Sequence, residues 1–187
     1  MKEYTIPSIL LRPLVWVVKQ YVASQPPDEE ITIHGEPYMN RWKTLPVNRT
    51  FNTFIHYFMH SDEDRAQHDH PWDNVSILLE GSYIERLSGG RMRVRKAGDV
   101  VVRRATEQHR IELFRDIERG TEVPVLTIFI RFKKWREWGF ICTDGRWFHW
   151  RNFLAHEDRR DWNLCETDAP GNTPGQGRDS GPDGDRA

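Results

Sequence analysis

The run His68-Asp69-His70-Pro71-Trp72-Asp73-Asn74 carries the residue types best suited to chemistry in this chain. In an extended segment side chains alternate between faces, so His68 and His70 project to one side and Asp69 to the other. One metal ion can then hold both imidazoles. Pro71 has no N–H to give to a ladder, which places the pair at a strand end or a bulge. Neutral ring nitrogens suit Fe, Mn, Ni, Cu or Zn. A third ligand must come from elsewhere in the sequence, and His109 is the best candidate. It opens the alternating run His109-Arg110-Ile111-Glu112-Leu113 and shares a face with Ile111 and Leu113, so it turns inward with them. Glu112 faces away and outward by the same alternation.

Other polar residues compete for attention. His56 lies on a strand, as a cavity residue or a satisfied core histidine, and His149 lies between Trp147 and Trp150. These two are the candidates for acid–base work. His60-Ser61-Asp62 has the HxD form of another iron-oxygenase class, but it sits in a charged loop, and a solvated loop is the preferred reading. Asp64 and Arg65 read as a loop ion pair. Arg103 and Arg104 read first as a solvated strand end and second as an anion contact. Arg131, Lys133, Lys134 and Arg136 form a basic cluster beside Trp135 and Trp138, read first as a solvated turn. Trp72 and Trp138 are candidates to wall a pocket and keep water out.

The elements that must position these residues are short. The chain has 187 residues, enough for one domain with a sizeable core. A net charge of −1 argues against nucleic-acid binding through bulk charge. Residues 7–23 repeat apolar side chains at helical spacing, with Pro13 as the point where the helix would split or kink. That stretch is too short and too charged to span a bilayer. It is expected to pack on the body of the domain, with a homodimer contact or a membrane surface as the sharper alternatives. From residue 31 the pattern changes to strands: 31–34, 38–45, 51–59, 75–79, 82–87, 91–95, 100–103, 109–113 and 123–131. The segment 51–59 is apolar on both faces, and Gly81 and Gly98 mark turns. Short strands without intervening helices predict an all-β barrel or sandwich. Residues 137–142 read as a strand, and 147–154 as either a strand or a helical turn. The expected division is a helical extension over 1–30, a β domain over 31–167, and a disordered tail over 168–187, where apolar residues almost vanish. The eight Trp fall mostly late in the chain and read as core or as a flap docked on the barrel. Two cysteines make no disulfide framework, so a reducing cytoplasm is the expected setting; a single bridge between them stays open.

The spacing of these residues resembles the two motifs of the cupin superfamily. The first motif corresponds to His68, His70, Asn74 and Gly81, and the second runs from Gly98 to His109. The Pro and Gly usual in the second motif are replaced by Arg104 and Thr106. The resemblance covers about residues 50–132. It implies a cupin-type β-barrel, a jelly roll that holds a metal among inward-facing side chains. One departure matters: the carboxylate of the first motif is an amide here, Asn74. The implied site is therefore His68, His70 and His109, with water or substrate completing it. Asp73, next to that position, is a second carboxylate candidate if the local backbone shifts. Three neutral ligands leave an ion's charge to be balanced by substrate, which favours small anionic molecules. Three-His cupin sites resemble those of thiol dioxygenases, although the Ser-His-Tyr pattern of those enzymes is not evident. The resemblance implies an Fe(II) oxygenase first, with Mn, Ni or Zn as other ions. A metal-assisted isomerase or decarboxylase, a non-catalytic binding or sensor module, and a protein with a structural metal are the alternatives.

Overall fold

The computed structural model describes residues 1–33, 35–62, 66–154 and Cys165. The turn at His34, the Asp64–Arg65 pair and the tail from 168 onward lie outside the described residues. The described chain is mostly β. Its strands are β1 (Lys2–Thr5), β2 (Glu29–Ile33), β3 (Glu36–Lys43), β4 (Asn52–Phe58), β5 (Gln67–His68), β6 (Asn74–Glu80) and β7 (Ser82–Leu87). They continue with β8 (Arg91–Lys96), β9 (Asp99–Arg103), β10 (His109–Leu113), β11 (Val125–Arg131), β12 (Gly139–Ile141) and β13 (Trp147–His149). Two helices accompany them, α1 (Ser8–Ser24) and α2 (Trp150–Leu154). Strands β1-β9-β6-β11-β4-β3-β2 form a seven-stranded sheet, and β13-β12-β5-β10-β7-β8 a six-stranded one. The named strand pairs are antiparallel.

Alternation sorts each strand between two destinations. On β6, Asn74, Ser76 and Leu78 share one face and Ile77 and Leu79 the other. Leu78 packs between the sheets with Met39, Phe58, Tyr83, Ile111, Leu113 and Val125. Leu79 packs beneath α1, with Trp42, Ile55, Leu126 and Val18. This double burial explains why β4 is apolar on both faces: one face looks into the barrel and the other carries the helix. The helix runs through Pro13 without ending. Its opposite side leaves Ile9, Leu10, Trp16 and Val17 exposed.

The turn from β6 to β7 depends on Gly81. Its φ is +86°, and an added Cβ would stand 2.7 Å from Val125 Cγ1 and 2.9 Å from the Pro124 carbonyl oxygen. A side chain there meets both backbone strain and a clash.

One feature differs from the sequence expectation, and two others fall within alternatives it left open. Residues 2–5 form a strand that pairs with β9, from Lys2 opposite Val102 to Thr5 opposite Asp99. The first thirty residues are thus not only a helix; their ends belong to the large sheet. Residues 147–154 are both things expected of them, a strand and then a helical turn. Cys142 and Cys165 form a disulfide. It lies in a small core with Phe140, Phe148 and Phe153, which docks the late aromatic segment on β5. Among the described residues, no helix is long and apolar enough to cross a membrane.

Candidate metal centre

His68 ends β5 and His109 opens β10, and the two stand opposite each other in the ladder. His70 follows two residues later. The backbone N–H of His70 donates to the Ala105 carbonyl at 3.0 Å, and Asp73 Oδ1 accepts the Ala105 N–H at 2.8 Å. These bonds fold residues 104–108 against the HxH segment, so the chain returns to His109 beside the pair. The ligand nitrogens of His68, His70 and His109 lie within 4.8 Å of one another.

Asp69 points away from the group, as alternation requires. It is buried and accepts from Gly139 N (2.8 Å), Arg136 Nη1 (2.7 Å) and Trp147 Nε1 (3.2 Å). The residue between the two histidines therefore ties their strand to the aromatic flap. Arg136, expected in a solvated basic turn, belongs to this anchor.

Two buried carboxylates lie beside the Nδ1 atoms of the rings. Glu85 Oε1 stands 3.0 Å from His109 Nδ1, and Asp62 Oδ2 stands 3.6 Å from His68 Nδ1. Asp62 is itself held by the Ile111 N–H at 2.6 Å and by the Tyr38 hydroxyl. A carboxylate near Nδ1 favours Nε2 as the atom a ring offers to a metal. Nε2 of His109 lies 2.9 Å from Nε2 of His70. Two ring nitrogens this close need either a shared proton or a cation between them.

The charge states agree. Burial pushes His68 down from 6.5 to about 4, against an opposing pull from Asp62. Burial also lowers His70 well below its ordinary value, aided by the neighbouring His68 and His109. Glu85 is pushed up by burial, but Arg103, His109 and Arg95 outweigh this and hold it well below the usual carboxylate range. The centre thus offers the uncharged rings of His68 and His70, with the Glu85 carboxylate close by. That donor set fits a borderline divalent ion from Mn to Zn; Ca²⁺ and Mg²⁺ prefer oxygen.

Buried neutral histidines make an acid-labile fold. The folded-state pKa values of His56, His68 and His70 lie below the unfolded value, so the unfolded chain takes up protons first. Their contribution is complete above about pH 6.5 and shrinks as the pH falls, for His68 down to about 4. The melting temperature of metal-free protein is expected to drop between about pH 7 and about pH 5. His56→Gln should flatten that drop. A melting temperature that is flat over this range would show that the rings are not held neutral.

The cavity around the centre has a volume of about 420 Å³, and Trp72, Trp138, Phe129, Arg41, His56 and Thr127 are among its lining residues. The structure brings His56 there, with Arg41 Nε–H donating to its Nε2 at 3.0 Å. It does not bring His149, because β13 is the edge strand and β12 separates it from His68. His149 instead faces Glu137, at 3.3 Å. His60 and Asp62 also part: His60 turns outward to Glu122 at 3.1 Å, while Asp62 turns inward. Asp73 is occupied by Ala105. Asn74 is fully buried, and neither of its amide atoms has a hydrogen-bond partner among the described residues. Arg103 is no solvated strand end; it is 2% exposed and paired with Glu85.

Two antiparallel sheets face each other, with the histidines between them at the positions the two motifs mark. The fold is a two-sheet antiparallel β-barrel, in keeping with the cupin-type jelly roll that the motifs imply. No protein-family model matches this sequence, and no curated protein does. Solved structures do align with the barrel. A conserved protein with a double-stranded β-helix domain from Klebsiella pneumoniae shares 16% identity over 59% of this chain and 88% of its own, at a TM-score of 0.42. A cupin superfamily protein from Desulfitobacterium hafniense shares 11% over 57% of this chain and 84% of its own, at 0.40. The DMSP lyase DddQ from Ruegeria pomeroyi shares 11% over 63% of this chain and 58% of its own, at 0.44.

Sequence reasoning did not place Glu85 or Asp62 at this centre. The signal for Glu85 was a charge in the inward register of Tyr83 and Leu87. Asp62 stood out only through its HxD run, read as a solvated loop; its partners Tyr38, His68 and Ile111 come from three different strands.

Proposed function

We propose that this cupin barrel is a metal-dependent enzyme, with Fe(II) as the resident ion and dioxygen-dependent oxidation of a small anionic molecule as its reaction. The observation that carries the reading is the ligand set: three imidazole nitrogens, with no carboxylate among them, at a cavity of about 420 Å³. A bound divalent ion would supply Lewis acidity and, as iron, a redox couple for dioxygen. The chain's own groups do the rest. His68, His70 and His109 hold the ion and leave its charge for a substrate anion to balance. Trp72, Phe129 and Trp138 keep water from the cavity. The Tyr38 hydroxyl, hydrogen-bonded to Asp62, holds a proton at the cavity wall. Burial and the adjacent Asp62 push its pKa up, so that proton stays on the oxygen at neutral pH.

Metal analysis of anaerobically purified protein tests this, followed by oxygen uptake with a panel of small thiols, acids and diketones. The expected result is about one iron per chain and substrate-dependent uptake that is lost in His70→Ala. Zinc closed by four protein ligands would mark a structural site and overturn the reading. An iron-loaded protein that consumes no oxygen with any substrate, yet isomerises or cleaves one of them, would replace oxidation with Lewis-acid chemistry.

A further inference from the structure

Away from the three histidines, the cavity ends in hydrogen-bond donors. Arg41 on β3 stands opposite His56 on β4, and Thr127 on β11 stands opposite His56 on its other side. All three line the cavity. Arg41 gives its Nε–H to His56 Nε2, so that nitrogen carries the lone pair and Nδ1 carries the proton. His56 is thereby a donor, and it is 4% exposed. A second guanidinium lies close by. Arg41 and Arg131 both stand over the Phe54 ring, at 5.3 and 5.7 Å from its centre. Arg131 also stacks on Trp72 at 4.5 Å, and its Nε is buried with no hydrogen-bond partner among the described residues.

Cations outnumber anions at this end. Glu29 pairs with Arg41 at 2.9 Å but is shared with Lys43, also at 2.9 Å. Arg131 has no ion pair among the described residues. One aromatic ring links this end to the metal centre: Phe129 lies 5.2 Å from the His56 ring and 6.2 Å from the His70 ring. A planar anion suits a guanidinium fork better than a neutral group does.

We propose that the Arg41–His56 end of the cavity is a carboxylate subsite, and that the ligand is a short acid with a chelating head at the three histidines and a carboxylate tail at Arg41 and His56. This rests on the metal-centre reading above and adds what lies at the ligand's other end. Arg131 supports the subsite through its positive field across Phe54.

Two probes test it by calorimetry on metal-loaded protein: 2-hydroxyglutarate and 2-hydroxyvalerate. They share the chelating head and differ only in a carboxylate against a methyl at the tail. The diacid is expected to bind at least about tenfold more tightly, as one charge-assisted hydrogen bond would give. In Arg41→Met the preference should fall to about one while the metal content stays unchanged. Arg41→Lys keeps the charge and should retain part of the preference, which separates loss of the subsite from loss of the fold. Equal binding of the two probes by the wild-type protein, or a preference that survives Arg41→Met, overturns the subsite. If the protein takes up no metal, the metal-centre reading fails by itself. The same two probes on metal-free protein then read the subsite alone: a diacid preference supports it and parity overturns it.

Discussion

Glu85→Ala is expected to destabilise the protein by about 3–5 kcal/mol, the cost of removing one partner from a buried ion network. Glu85 is fully buried and sits between two arginines that are themselves 4% and 2% exposed, Arg95 and Arg103. Arg95 Nε donates to Glu85 Oε2 at 2.7 Å, and Arg103 Nη2 donates to Oε1. Arg95 also reaches Glu3 on β1 at 2.9 Å, and that carboxylate is partly exposed. Without Glu85, Arg103 is left buried with no carboxylate partner among the described residues, which is far costlier than losing a surface pair. Denaturant unfolding with an unchanged m-value would read this loss directly. Glu85→Gln keeps the shape and an acceptor and should cost less. It removes the charge beside His109 Nδ1, however, and should weaken metal binding by about 10–100-fold, the usual effect of losing a group that orients a ligand. A variant with wild-type stability and wild-type metal affinity would show that water, not Glu85, balances the two arginines.

The second large effect concerns the histidines themselves. His68→Ala or His109→Ala should weaken metal binding by more than about 100-fold, because each removes a donor atom and not merely its support. The consequence extends to folding. An ion that binds only the native state adds about 2.7 kcal/mol when its concentration is about 100 times its Kd. The wild-type melting temperature should therefore rise on adding iron or zinc and fall again on chelation. Neither change is expected in His68→Ala at the same concentration. Equal responses in the wild type and the variant would place the ion outside the three histidines. The Asp62 side gives an internal comparison. Asp62→Asn, at 3.6 Å from His68, should cost metal affinity less than Glu85→Gln, at 3.0 Å from His109.

The two variant sets separate stability from binding. Glu85→Ala acts on the fold through its arginines even when no ion is present. His68→Ala acts mainly on what the ion adds. The rings of His68 and His70 are held uncharged by burial, so their removal frees no buried charge.

Much of the barrel and part of the centre could be read from residue order. The common facing of His68 and His70, the opposite facing of Asp69, and the inward turn of His109 beside Ile111 and Leu113 follow from two-residue alternation. That rule needs nothing but a local extended backbone. The runs 82–87 and 109–113 coincide with strands for the same reason, and the burial of β4 on both faces was visible in its composition. The turn at Gly81 was legible because only glycine takes that φ without strain.

The tertiary structure decided what those residues face. Strand β1 has no apolar face to announce it; all four of its residues are exposed, and it exists because β9 offers an unpaired edge. His149 sits among aromatic residues as the sequence suggested, yet the order of strands in the sheet puts it one strand too far from the cavity. Arg103 reads as a strand-end cation until β7 brings Glu85 to it. Asp62 reads as part of a solvated loop until Tyr38, His68 and Ile111 converge on it. Alternation fixes the side a residue takes, over a span of a few residues. The partner it meets depends on which strands lie alongside, and that is set by packing over the whole chain. Local alternation was enough to turn the histidines inward in a β fold; the packing of the two sheets was needed to bring the buried carboxylates beside them.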